Sequence, residues 1–136
     1  MQAEAFLGLV QHRARLASRA EADRATAATL LSLGERLDPG ARRGVASQLD
    51  PAVARYLDGP AVGEPQAFSL DEFLHRVADR EGVGPAEAAH HARAVLSVLR
   101  DAVTPGAFDD VRAQLPRSWG RLLDAGSEGE VDLRLS

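Results

Sequence analysis

Apolar side chains recur along the chain three and four residues apart, in stripes that one face of an α-helix would carry. Ala88, Ala92, Val95, Leu96, Leu99 and Val103 form one stripe, and Leu70, Phe73, Leu74, Val77 and Ala78 form another. Earlier in the chain Phe6, Leu7 and Val10 begin the same rhythm, continued by Ala22, Thr26, Thr29, Leu30, Leu33 and Leu37. Start signals fall where each stripe begins. Ser18-x-x-Glu21 and Ser69-x-x-Glu72 are capping boxes. Asp38-Pro39, Asp50-Pro51 and Thr104-Pro105 pair an N-cap with a proline at the first helical position, and Gly84-Pro85 does the same. Gly82 stands where a glycine would end a helix. The pattern predicts helices over 3–16, 18–37, 39–49, 51–58, 70–81, 85–103, 105–115 and 117–125.

These stripes repeat. Phe6, Leu7 and Val10 match Phe73, Leu74 and Val77 at an offset of 67, which becomes 66 after a one-residue gap near Ala17. At that offset Ala22, Thr29, Leu30, Leu33 and Leu37 match Ala88, Val95, Leu96, Leu99 and Val103, and Gln48-Leu49 matches Gln114-Leu115. The expected fold is all-α: a tandem repeat of two four-helix units packed as one pseudo-two-fold helical domain. The first unit is drawn at 1–58, a Gly/Pro-rich linker at 59–67 and the second unit at 68–125. From 126 to 136 the chain is polar, with Val131, Leu133 and Leu135 alternating with charges, and a flexible tail is expected there.

Phe73-Leu74-x-x-Val77-Ala78, Gly82-Val83, Ala92-x-Ala94-Val95-Leu96-x-x-Leu99 and Ala113-Gln114-Leu115-Pro116 resemble one bacterial family of two-repeat helical proteins. That family is catalogued as a domain of unknown function, with an Ala-Gln-Leu-Pro signature closing each copy. In the first copy Ser47-Gln48-Leu49-Asp50 stands in place of the signature. The resemblance implies the fold over about residues 3–125 and brings no reaction with it.

Composition narrows the function classes. There is no cysteine, which removes disulfides, thiolate chemistry and sulfur-bound zinc. All sixteen basic residues are arginine, while lysine, isoleucine and asparagine are absent, a bias that a GC-rich genome explains. No stretch approaches the ~20 apolar residues that span a bilayer, and the N-terminus lacks a secretion signal, so a cytoplasmic protein is expected. Net charge is −4, against non-specific binding of nucleic acid.

Three sets of residues bear weighing for chemistry. Glu72-x-x-His75 and Glu87-x-x-His90 spell a di-iron bundle pattern. Helical phase turns them off the core stripes, though, and His91 only flanks its stripe. Exposed, ion-paired residues are the expectation, with a metal shared across a surface by Glu87, His90 and His91 as an alternative. Residues 42–57 have the rhythm of a helix-turn-helix, so nucleic-acid binding through Arg42, Arg43 and Arg55 is a second alternative, although Ala52 and Ala54 cannot hydrogen-bond bases. Gln48 and Gln114, just before matched turns, read as structural amides joining the end of one helix to the start of the next. No catalytic, cofactor-binding or metal-ligating residue is assigned. The expectation is a non-enzymatic module that binds a partner protein or a second copy of itself, with no membrane and no cofactor. Trp119 is expected to be buried; exposed, it would anchor self-association.

Overall fold

The computed structural model describes residues 1–59 and 63–124. Expectations for residues 60–62 of the linker and for the tail at 126–136 lie outside that range. Among the described residues the fold is all-helical: α1 (Ala3–Ala14), α2 (Arg19–Arg36), α3 (Pro39–Ala46), α4 (Pro51–Leu57), α5 (Leu70–Glu81), α6 (Pro85–Ala102), α7 (Pro105–Ala113), a 3-10 turn (Arg117–Trp119) and α8 (Gly120–Asp124).

The caps work as the sequence pattern predicts. Ser18, Asp38, Ser69 and Thr104 each accept a hydrogen bond from the backbone N–H three residues on. Asp50 caps α4 through Ala52 N at 3.0 Å, and its other oxygen accepts Ala3 N at 2.8 Å, tying down the start of α1. These two N–H groups hold the Asp50 carboxyl below the usual carboxylate range. The capping box at Ser18 is modified: Glu21 reaches back to Ala17 N at 3.0 Å. Helices α3 and α7 stop three and two residues short of the predicted 49 and 115. In both, the last turn tightens to i→i−3 bonds, from Leu49 N to Ala46 O and from Leu115 N to Arg112 O, each 3.1 Å. A proline follows each turn, at Pro51 and Pro116, and it disfavours helical geometry in the residue before it.

The two 18-residue helices, α2 and α6, form the centre. α2 packs on α1, α4, α5 and α6, and α6 packs on α1, α2, α5 and α8. The shared core holds Phe6, Val10, Leu30, Leu33, Phe73, Val77, Val95, Leu96, Leu99 and Trp119, all buried. Trp119 is fully buried against Phe73, ring centroids 4.9 Å apart. Met1 is the one large apolar residue exposed among the described residues, so the Trp119 anchor for self-association is removed.

Gly34 sets the closest approach. A Cβ there would meet the Leu57 carbonyl oxygen at 2.3 Å, so α2 and α4 touch backbone to backbone. Glutamine amides lock α3 to α7. Gln48 Oε1 accepts Thr104 N at 2.7 Å and Gln114 Oε1 accepts Asp38 N at 2.8 Å. Both are structural amides, as expected. Each nevertheless serves the N-cap of a helix far along the chain rather than the next one, because α3 and α7 pack side by side.

Candidate functional site

The helical corners α1–α2 and α5–α6 meet, and a cleft of about 330 Å³ opens between them. Its walls carry Arg15, Leu16, Glu21 and Arg24 from one corner and Glu81, Val83, Glu87 and His91 from the other. Both corners turn through a left-handed residue. Gly82 has φ 78°, at no steric cost, and Val83 N bonds Ala78 O at 3.1 Å. Arg15, 67 residues earlier, has φ 56°, the only positive value at a non-glycine residue among the described residues. A side chain in this region costs on the order of 1 kcal/mol.

At the cleft wall the last residue of α5, Glu81, meets His91 of α6. Oε2 of Glu81 contacts His91 Nδ1, and the two side chains are only 4% and 8% exposed. The other oxygen, Oε1, is buried without a hydrogen-bond partner among the described residues. Burial pushes the Glu81 carboxyl above the usual carboxylate range, opposed by His91 and Arg24 and reinforced by Glu87. Applying the repeat offsets, the positions matching Glu81 and His91 are Ala14 and Ala25, both buried. A hydrogen-bonded ionisable pair thus stands in the second half where the first half has two methyl groups.

The expectation that His91 merely flanks the core, exposed with its neighbours, is corrected. The physical reason is that α6 is surrounded by four helices, so its buried face is wider than one apolar stripe. His90 is half-buried, and its Nε2 donates to Ala14 O, the last carbonyl of α1, at 3.1 Å. His75 is exposed, its Nδ1 donating to Asp71 O at 2.9 Å, and Glu72 pairs with Arg76 at 3.0 Å. Among the described residues no group of three or more His, Asp or Glu is arranged to hold a metal. Sequence reasoning missed the Glu81–His91 pair. The signal was there in the mismatch of two ionisable residues against Ala14 and Ala25.

Arg42 also departs from its expected role. It is 5% exposed, its Nε pairs with Asp58 at 3.0 Å, and NH1 donates to Leu37 O at 3.1 Å and Gly34 O at 3.3 Å. It closes the end of α2 and is turned away from any phosphate. Arg55 folds onto Tyr56, with its guanidinium 4.7 Å from the ring centre. The serines within the long helices are engaged as well. Ser32 donates to Ala28 O at 2.7 Å and Ser97 to Ala94 O at 2.8 Å, while each accepts from an arginine.

A helical bundle with an ionisable pair buried at its corner cleft, and no helix of the described residues long and apolar enough to cross a membrane, defines the class. The chain belongs to a family of uncharacterized conserved proteins, DUF2267, whose profile matches residues 3–122. No curated protein matches the chain.

Proposed function

We propose that the chain is a non-enzymatic recognition module, and that its corner cleft receives a basic side chain of a partner protein. The observation that carries this is the free oxygen of Glu81, a buried acceptor at the cleft wall with no donor of its own. A buried polar atom left unsatisfied is costly, and a guanidinium or ammonium in the cleft would supply the missing donor once the Glu81 side chain turns that oxygen, now closed to solvent, toward the opening. Glu21 and Glu87 on the same walls favour a cation, and Arg15 and Arg24 limit how much positive charge the cleft accepts.

The architecture we assign is the duplicated one, two four-helix units about a pseudo-two-fold. Matched contacts support it. Arg13 pairs with Asp101 at 2.7 Å and Arg80 with Glu35 at 2.7 Å, and at the repeat offsets these are the same pair twice. Gln48 to Thr104 and Gln114 to Asp38 repeat in the same way. On this view the cleft lies between the copies, and the Glu81–His91 pair makes one side of it unlike the other. The setting we assign is the bacterial cytoplasm, which fractionation of native cells tests.

Titration of isotope-labelled protein with N-acetyl-arginine amide, against N-acetyl-glutamine amide, tests the cleft. Saturable shifts at residues 81–91 with the arginine compound alone support it. Equal response to both compounds, or an unchanged response in Glu81→Gln, removes it. Light scattering that shows a dimer dissociating on addition of the arginine compound would identify the partner as a second copy.

A further inference from the structure

We propose that a groove beside the last turn of α1 is a second binding site, which takes a phosphate monoester through Arg15. The groove measures about 650 Å³ and is lined by Gly8, Gln11, His12, Arg13, Arg15 and Leu16. Two neighbouring arginines are already engaged. Arg13 is held by Asp101 at 2.7 Å and Ser97 at 2.9 Å, and Arg19 by Gln11 Oε1 and the Glu4 carbonyl, each at 3.2 Å. Arg15 is exposed, with no carboxylate partner among the described residues, and His12 beside it is exposed too. Three of the last four carbonyls of this helix end, which would repel an anion, are occupied. Gln11 O accepts Leu16 N, His12 O accepts Arg15 N, and Ala14 O accepts His90 Nε2.

The backbone supplies an independent observation. Arg15 holds a left-handed conformation that glycine adopts freely, and the matching position is Gly82. Glycine would make the same turn without strain, so the side chain kept there does something the turn does not require. A planar guanidinium binds two oxygens of a phosphate at once, and Arg19, paired with no carboxylate among the described residues, adds positive charge at the same rim. The groove has room beyond a phosphate for an organic body, supplied by a soluble ester or by a phospholipid headgroup.

Phenyl phosphate, titrated at constant ionic strength against chloride and followed by backbone amide shifts, tests the site. Saturable shifts at residues 11–16 are expected, and Arg15→Gly should weaken them at least tenfold while raising Tm by about 3 °C. An ordinary structural arginine would lose stability on removal, so binding and stability moving in opposite directions is the signature. Vesicles containing phosphatidate distinguish the sources: co-sedimentation that Arg15→Gly abolishes points to a lipid, and phenyl phosphate binding without it points to a soluble ester. Arg15→Gly binding phenyl phosphate within twofold of the parent, an equal response to chloride, or vesicle binding indifferent to Arg15 overturns the site. Arg15 and Leu16 border the corner cleft as well, but Glu81 lines the cleft alone, so Glu81→Gln should leave phosphate binding unchanged and tells failure of the cleft from failure of this groove.

Discussion

Replacing His91 by alanine strips Glu81 of its one hydrogen-bonding partner. Both carboxylate oxygens are then buried without a donor, in a side chain only 4% exposed. Breaking a buried pair by removing one member costs about 3–5 kcal/mol. For a chain of this length about 1 kcal/mol moves Tm by roughly 3.5 °C, so His91→Ala should melt about 10–17 °C below the parent near neutral pH. Acid should soften the defect. The folded-state pKa of Glu81 is raised, so its contribution to stability is full below the unfolded value of 4.5 and is lost as pH rises through the folded pKa. Below pH 4.5 the carboxyl is neutral, and the cost of His91→Ala should shrink to the roughly 1–3 kcal/mol of an unsatisfied polar group. Glu35 titrates in the opposite sense. Its hydrogen bonds from Arg80 and Arg76 lower its pKa, so what it contributes is lost as pH falls through the folded value. Urea melts of parent and variant at matched pH cancel that background. Glu81→Gln keeps an acceptor, its amide oxygen, for His91 Nδ1 and should cost about 1 kcal/mol, and in its background His91→Ala should cost less than in the parent. A loss below about 1 kcal/mol for His91→Ala, equal at pH 4 and pH 7.5, would refute the buried, titrating pair.

Gly34→Ala should cost about 2–3 kcal/mol in chemical denaturation, since its methyl lands 2.3 Å from a backbone oxygen and α2 must lift off α4. An unchanged midpoint would mean that the two helices separate freely. Thr29→Val should raise stability by about 1 kcal/mol, because the Thr29 hydroxyl is buried without a partner among the described residues and its repeat counterpart is Val95. A fall in Tm would show that the hydroxyl is satisfied. Gln114→Ala should lower stability by about 1 kcal/mol by freeing Asp38 N, and Gln48→Ala by a similar amount. A melting temperature untouched by either change would end their structural role.

The fold was legible because local signals and apolar period agreed. A serine, aspartate or threonine cap, often with proline after it, announced five of the starts, and the stripes supplied the buried faces. Lateral burial was harder to read. For α5 one stripe sufficed, and Glu72 and His75 are exposed as its phase predicts. For α6 it failed, since four neighbouring helices bury flanks that a two-helix contact would leave in water, and His91 lies on such a flank. Arg42 shows the same limit from the other side. Its charge suggested a surface, and only the tertiary fold brings the carbonyls at the end of α2 and the carboxylate of Asp58 around it. Long-range hydrogen bonds were equally hidden, because no local pattern tells Gln48 that its partner is Thr104.

The arginine-only composition acquires a structural use once these contacts are known. An alanine-rich core with four phenylalanines and one tryptophan has few large side chains with which to fasten its outer helices. Arginine supplies the missing bulk. Arg36 donates to Phe68 O at 3.0 Å with its guanidinium 5.9 Å from the Trp119 ring centre, and Arg76 covers Phe68 at 4.0 Å while pairing with Glu35. Arg100 donates to Leu123 O at 3.0 Å beside Phe108. Lysine could not stack flat on a ring and serve a carbonyl with the same head group. The internal arginines therefore act as core residues with a charged tip, and counting them as surface charge overstates what a partner meets. Arg15 differs from all of these. Among the described residues its side chain fastens no helix, and it occupies a turn that glycine would make more easily. That contrast is the physical ground for looking to Arg15, rather than to Arg42, for contact with an anion.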